Sequence, residues 1–125
     1  MKWFQLDSDA PHDPKIRAVT RTLGPAGLGG LLGVWCHVAR HGSTPGRAMD
    51  SRGLPLALDE LQEASLLSPD EFQALVDICV RTGHFKREAW EQYKGIWIPA
   101  MAKRADRYTK TQLHKQQLPL GYEAS

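Results

Sequence analysis

The chain has 125 residues, 42% of them hydrophobic and 24% charged, with a formal net charge of +2. These are values of an ordinary globular domain, so they exclude wholesale disorder and a fibrous repeat. An apolar run of about 18 residues and the apolar stretch of a secretory signal are both absent from the sequence. We therefore expect one cytoplasmic domain over residues 1–117 and a disordered tail over residues 118–125.

The first predicted elements are a short strand and two helices. Residues 3–7 alternate weakly between polar and apolar side chains, which predicts a half-buried N-terminal strand. Asp13 precedes a proline, as an N-cap does, so a first helix with a basic outer face is expected up to Gly24. Pro25 begins a second helix, the most apolar segment of the chain, which is expected to end at Gly42.

The second helix contains several glycines, each of which costs roughly 1 kcal/mol relative to alanine in a helix interior. No strand precedes them and no Gly-Lys-Ser/Thr follows, so a phosphate-binding loop is not indicated. We expect close helix–helix packing instead. The glycines are Gly27, Gly29, Gly30 and Gly33.

A loop and two further helices follow. Residues 42–55 are rich in turn formers and predict a mobile loop. Leu58 begins a short third helix with acidic residues in its first turn. Ser68 and Glu71 form a capping box that starts a fourth helix, which ends at Gly83. Two short helices joined by a tight turn predict a helix-turn-helix.

The remaining segments predict a wing and a closing helix. Residues 84–87 and 96–98 resemble two short strands, and Gly95 suits the hairpin turn between them. Residues 99–117 predict a last helix with one basic face. The expected fold is mainly α with a small β-hairpin: a winged helix-turn-helix with an extra N-terminal strand and a C-terminal helix.

Several short motifs, in this order, resemble one family of replication proteins. They are Lys2-Trp3-Phe4 with Asp7 and Asp9, Asp13 with Lys15-Ile16, Gly24 with Gly27-Leu28-Gly29, and Lys103-Arg104-Ala105-Asp106-Arg107-Tyr108. Over about residues 1–110 the pattern resembles the N-terminal winged-helix domain of phage replisome organisers and DnaD-like replication initiators. The resemblance implies a winged-helix fold and a role in replication or in a mobile element.

Charge is segregated along the chain. Residues 56–85 hold six carboxylates against one arginine, a net charge of −5, and residues 99–117 hold five cations against one carboxylate, a net charge of +4. Asp70 and Asp77, on the fourth helix, would repel DNA phosphates, so that helix is not expected to read the major groove. Phosphate contacts are expected from the first helix, the wing and the last helix. Their basic residues are Arg17, Arg21, Lys86, Arg87, Lys103, Arg107 and Lys110.

Protein binding is the alternative function. Trp90 and Tyr93 are expected at the surface, where they would stack on bases or contact a protein, and Asp70 and Asp77 would meet a basic partner. Trp97 faces away from its two isoleucine neighbours, so neither the core nor the surface is assigned to it. The expected partners are DNA, bound non-specifically and in a salt-dependent way, or a replication or host protein. A homo-oligomer is a further possibility, and no membrane partner is expected.

Neither catalysis nor a cofactor is expected. His37 and His41 have the i, i+4 spacing of a zinc site, but no third ligand accompanies them. Cys36 and Cys79 are flanked by apolar residues and predict two reduced core thiols. Because no nucleophile, base and oxyanion site can be assembled, we expect a binding protein and not an enzyme.

Overall fold

A computed structural model describes residues 8–101 of the chain, and this part is helical. Nearly all of its apolar side chains share one core, which the helices surround. The helices that lie wholly within residues 8–101 are a 3₁₀-helix, Ala10–His12, and α1 (Pro14–Leu23), α2 (Pro25–His41), α3 (Leu58–Ser65), α4 (Pro69–Thr82) and α5 (Arg87–Tyr93).

Local capping signals set the bounds of these helices. The side chain of Asp13 accepts a hydrogen bond of 2.9 Å from the backbone N–H of Lys15 at the start of α1. The capping box of α4 is complete, since the Glu71 N–H donates to Ser68 Oγ at 3.2 Å and the Ser68 N–H donates to Glu71 Oε1 at 3.0 Å. Gly83, with φ +83°, ends α4. The four helices predicted between residues 14 and 82 are confirmed.

The glycines of α2 allow close contact with neighbouring segments, as predicted, at three of four positions. A Cβ on Gly27 would lie 2.6 Å from Leu23 Cβ, and one on Gly30 would lie 2.6 Å from a methyl carbon of Leu67. A Cβ on Gly33 would overlap the carbonyl oxygen of Ala64, at the end of α3. Gly29 faces open space, so its predicted packing role is wrong.

A buried hydrogen bond joins α2 to the segment that follows α4. Trp35 Nε1–H donates to His84 Nε2 at 2.9 Å, and both side chains are at least nine-tenths buried. Because Nε2 accepts, the proton of a neutral His84 ring lies on Nδ1. This bond fixes the chain directly after α4, where the candidate site lies.

The predicted β-hairpin wing is wrong, because residues 8–101 contain isolated bridges but no strand or sheet. The segment between the two expected strands folds as α5, which is rich in good helix formers and buries Ala89. Gly95 has no positive φ, so it does not supply the left-handed backbone for which glycine is favoured in hairpin turns. The winged helix-turn-helix assignment therefore fails within this range.

Residues 96–98 pair with the predicted loop instead. The Ala48 N–H donates to the Ile96 carbonyl at 2.8 Å, and the Ile98 N–H donates to the Gly46 carbonyl at 2.7 Å. Ala48 is 1% exposed. The loop predicted as mobile is thus anchored in the core.

Two predictions about the remaining segments have different outcomes. Cys79 is buried as predicted, but Cys36 is exposed, because it lies on the side of α2 away from the core.

Residues 99–101 are helical, as expected for the start of the last helix. The predicted strand at residues 3–7, the rest of the last helix and the tail at residues 118–125 lie outside the described residues.

Candidate nucleic-acid interface

A cleft of about 380 Å³ opens where α4 ends and α5 begins. Three segments form its wall: the last turn of α4, the connection to α5 with the first residues of α5, and the residue that follows the 96–98 segment. The lining residues are Val80, Arg81, Thr82, Gly83, Phe85, Lys86, Arg87, Glu88 and Pro99.

Backbone hydrogen bonds fix the connection between α4 and α5. The Phe85 N–H donates to the Cys79 carbonyl at 2.9 Å, and the Phe85 side chain is fully buried. The Lys86 N–H donates to the Trp97 carbonyl at 2.8 Å. His84 and Phe85 are both buried, whereas the next two residues, Lys86 and Arg87, are half-buried and exposed, which places two basic side chains beside the cleft.

Four cations surround this cleft. Arg81, Lys86 and Arg87 line it, and a Cβ built on Gly83 would lie 3.9 Å from Lys15 Nζ, so α1 brings a fourth cation to its edge. Glu88 is the single carboxylate among the lining residues. We refer to Lys15, Arg81, Lys86 and Arg87 as the cleft cations.

Within residues 8–101 the cleft cations form no ion pair. The ion pair found in that range joins Arg52 to Asp50, 2.9 Å apart, in the 42–55 loop. Charge that is not neutralised by neighbouring carboxylates attracts anions, and clustering on one face strengthens the local potential. The cleft therefore has the charge that a phosphate ligand requires.

Trp97 lies beside the cleft beneath two cations. The Arg47 guanidinium carbon is 3.9 Å from the centre of the indole ring, and Lys86 Nζ is 4.2 Å from it. Indole Nε1 is buried and has no hydrogen-bond partner in the described part of the chain. The neighbours Ile96 and Ile98 are in the core, so the alternation of a strand directs Trp97 to the other side.

A protein-family model described as Lin1244/Lin1753-like, N-terminal, matches residues 3–99 of the chain. The chain belongs to the Lin1244/Lin1753-like N-terminal family. No curated protein and no solved structure matches it. That description carries no function, so the link to replication that the sequence motifs imply stays a prediction.

The predicted nucleic-acid residues of this Lin1244/Lin1753-like domain lie at separate places. Lys86 and Arg87 meet at the cleft. Arg17 and Arg21 are exposed on α1 but on another side, because about 100° per residue puts Arg17 about 200° from Lys15. The other three predicted residues lie outside the described range. They are Lys103, Arg107 and Lys110.

Sequence reasoning missed three residues of this surface. From the sequence alone, Lys15 belongs to the basic face of the first helix and Arg81 to the end of the acidic fourth helix. Arg47 belongs to the loop of residues 42–55. None of these positions points to a site. The position of Arg81 near the C-terminal end of its helix, where a cation interacts favourably with the helix dipole, is a local signal that could have singled it out. Nothing local in the sequence brings Arg47 to Trp97, since that contact depends on the pairing of residues 46–48 with residues 96–98.

The predicted stacking and protein-binding residues are partly accessible. Trp90 is half-buried against the core, with Lys94 Nζ 5.0 Å from the centre of its ring. Tyr93 is 40% exposed. Asp70 and Asp77 are both exposed on α4, and Asp77 accepts a hydrogen bond of 2.8 Å from the Gln73 side chain. Tyr93 is therefore the more accessible of the two aromatic side chains.

The histidine pair of α2 forms no metal site among the residues that the structure describes. The ring centres of His37 and His41 are 4.5 Å apart. Burial, and then the nearby His41, lower the pKa of His37, while Glu60 opposes that shift. Burial also raises the pKa of Cys79 to about 12. The lowered pKa of His37 favours its neutral ring, and the raised pKa of Cys79 disfavours its thiolate.

None of the described helices has the length and apolarity needed to cross a membrane.

Proposed function

We propose that this domain binds the phosphate backbone of DNA through the cleft, with weak sequence selectivity, in the replication of a phage or mobile element. The observation that carries the proposal is the meeting of four cations from α1, α4 and the start of α5 around one cleft, with no ion pair to any described carboxylate. Binding of this kind releases counterions from DNA and weakens steeply as the salt concentration rises. The link to replication comes from the sequence resemblance alone.

The distribution of carboxylates supports contact at this end of α4. Asp70 and Glu71 lie in the first turn of α4 and Arg81 in its last turn. A helix of 14 residues is about 21 Å long, so the two charge groups lie about two Debye lengths apart at physiological salt. Repulsion of phosphate by Asp70 and Glu71 is therefore largely screened at the cleft, whereas Asp77, only four residues before Arg81, lies within about one Debye length of it.

Weak sequence selectivity follows from the chemistry of the cleft. Lysine and arginine contacts to phosphate position a protein on DNA but do not distinguish bases. The exposed face of α4 presents Asp70 and Asp77, which repel the backbone on both sides of a major groove. We therefore expect similar affinity for unrelated duplexes of equal length.

The test is fluorescence anisotropy with a short labelled duplex between about 50 and 200 mM salt. The Arg81→Ala/Arg87→Ala double variant should weaken binding and lower the salt slope by about 0.9 for each phosphate that the variant no longer neutralises. Arg40→Ala is the control for the loss of one charge outside the cleft, because Arg40 is also exposed but is on α2, outside the cleft lining. Failure of the wild type to bind at low salt would exclude the proposal, as would equal losses of affinity in the double variant and the control.

A further arm tests the predicted basic face of α1. Arg17→Ala/Arg21→Ala removes the same charge as the cleft double variant, from a different side of α1. Because these arginines lie away from Lys15, we expect a smaller loss of affinity than at the cleft. An equal or larger loss would move the interface from the cleft to the outer face of α1.

Protein docking is the second candidate, and one exposed leucine favours it. Leu66 lies between α3 and α4 with 92% of its surface exposed, next to two acidic helices. An apolar side chain with this exposure, between two acidic helices, could contact a partner surface that is apolar at its centre and basic at its rim. Leu66→Ser should abolish any concentration-dependent increase in mass by light scattering without changing DNA affinity. A wild-type protein that stays monomeric at high concentration would argue against self-association.

A further inference from the structure

We infer that the indole N–H of Trp97 is a hydrogen-bond donor of a phosphate subsite whose other two donors are Arg47 and Lys86. The inference rests on the proposed function, because Lys86 belongs both to this subsite and to the cleft. The ligand is a phosphate group. Its source is a phosphodiester of the DNA backbone or a free phosphate, and the experiment below distinguishes the two.

The starting observation is a buried donor with no acceptor. Trp97 Nε1 has no hydrogen-bond partner within residues 8–101, and a buried donor left unsatisfied destabilises the folded state. The same domain satisfies its other buried tryptophan, since Trp35 Nε1–H donates to His84 Nε2. Within the described residues, His37 Nε2 is the other buried side-chain nitrogen without a partner, but only Trp97 Nε1 belongs to a ring that two cations contact.

The two cations over the ring can be redirected to an anion. Arg47 and Lys86 are both only half-buried, and their charged groups are on long side chains. Two positive charges 3.9 and 4.2 Å from the centre of one ring make its surroundings attractive to an anion. The inference requires that Nε1 becomes accessible to a phosphate when these charged ends turn towards it.

Backbone pairing fixes the three donors relative to one another. An isolated antiparallel bridge joins Arg47 to Trp97, and the Lys86 N–H donates to the Trp97 carbonyl at 2.8 Å. Each cation is therefore tied through the main chain to the residue that bears the indole. Such preorganisation lowers the entropy that ligand binding would otherwise lose.

The experiment follows the indole N–H signals of ¹⁵N-labelled full-length protein by NMR. Trp97→Phe assigns the Trp97 signal; it keeps an aromatic ring beside both cations and removes the donor together with the pyrrole part of the indole. The Trp35 N–H signal is the internal control, because that N–H already donates to His84 Nε2 and lies outside the subsite. The protein is titrated in separate arms with inorganic phosphate and with a short duplex DNA.

We expect duplex DNA to move the Trp97 signal downfield, and Trp97→Phe to weaken duplex affinity about tenfold, as for loss of a hydrogen bond to a charged group. The Trp35 signal should not move on addition of either ligand. A response of the Trp97 signal to inorganic phosphate but not to the duplex would assign the subsite to a free phosphate and would refute DNA as its ligand. If the duplex binds but neither the Trp97 signal nor the Trp97→Phe affinity changes, the subsite is refuted while the cleft proposal stands. If neither ligand moves the signal or binds, both are refuted.

Discussion

Replacement of Gly33 by alanine tests the packing of α2 against α3. The added Cβ would overlap the carbonyl oxygen of Ala64 and would lie 3.0 Å from the Ala64 carbonyl carbon and 3.2 Å from Ser65 Cα. All three are backbone atoms, so no change of side-chain rotamer relieves the overlap. α3 must move away from α2, which disturbs the packing of the fully buried Leu61.

The expected change is the difference of two effects. Alanine gains about 1 kcal/mol over glycine from helix propensity, and overpacking of a well-packed core costs about 1–3 kcal/mol, with more where backbone must move. For Gly33→Ala we expect a net loss of about 2 kcal/mol in the free energy of unfolding. Gly29→Ala has only the first effect, because nothing lies within 4 Å of its Cβ position, and should gain about 0.5–1 kcal/mol.

Gly30→Ala should lie between these two variants. Its Cβ would meet Leu67 Cδ1 at 2.6 Å and Leu67 Cγ at 2.9 Å, which belong to a side chain that can rotate. Urea denaturation followed by tryptophan fluorescence gives the order of midpoints, with a constant m-value showing that each variant remains two-state. Gly33→Ala as stable as Gly29→Ala would refute the close approach of α2 and α3.

Three further predictions follow from burial and backbone conformation. Cys36 is exposed whereas Cys79 is buried, so a thiol reagent should label one cysteine in the native protein and two after denaturation; equal rates would refute this. Burial, and then His41, lower the pKa of His37, so its contribution to stability is complete above about pH 6.5 and is lost as the pH falls through the folded-state pKa. His37→Gln should therefore reduce the fall in unfolding free energy between about pH 7 and pH 5, and an unchanged pH profile would contradict the shift. Leu66 has φ 60° and is 92% exposed, so Leu66→Gly should raise the unfolding free energy by about 0.5–1 kcal/mol, measured by urea denaturation, and a lower midpoint would contradict the strain.

Helix bounds were predictable because the signals that set them are local. The N-cap Asp13 and the capping box of Ser68 act within three residues of the backbone groups that they satisfy. Gly83 ends α4 through its own left-handed conformation. A single sequence contains all the information that such interactions need.

The wing was not predictable from the same kind of signal. The hairpin required residues 84–87 to pair with residues 96–98, yet the latter pair mainly with residues 46–48, which are far away in the sequence. Only the Lys86 N–H to Trp97 carbonyl bond remains of the expected pairing. The pairing of residues 46–48 with residues 96–98, which are far apart in the sequence, outweighed the local turn signal of Gly95. The helix-forming residues between residues 84–87 and 96–98 then folded as α5.

The candidate site was predictable only in part, for the same reason. Lys86 and Arg87 were identified because both are basic and follow the fourth helix. Their meeting with Lys15 and Arg81 depends on the packing of α1 beside the end of α4, which no local pattern encodes. Alternation along residues 96–98 directs Trp97 away from the core, so the sequence assigns it neither to the core nor to a site. Only the tertiary structure shows that two cations contact its ring there.

Arg81 lies at the C-terminal end of α4, so it has two possible roles, stabilisation of the helix and binding of DNA, and the two roles can be tested separately. A cation near the last turn of a helix stabilises it through the helix dipole by typically about 0.3–1 kcal/mol. Arg81, in the last turn of α4, therefore has a stabilising role even without a ligand. That role predicts a small loss of stability in Arg81→Ala and no dependence of that loss on DNA. DNA that protects the wild type against unfolding by more than it protects Arg81→Ala must interact with Arg81 directly, because the dipole effect is the same in the presence and absence of DNA.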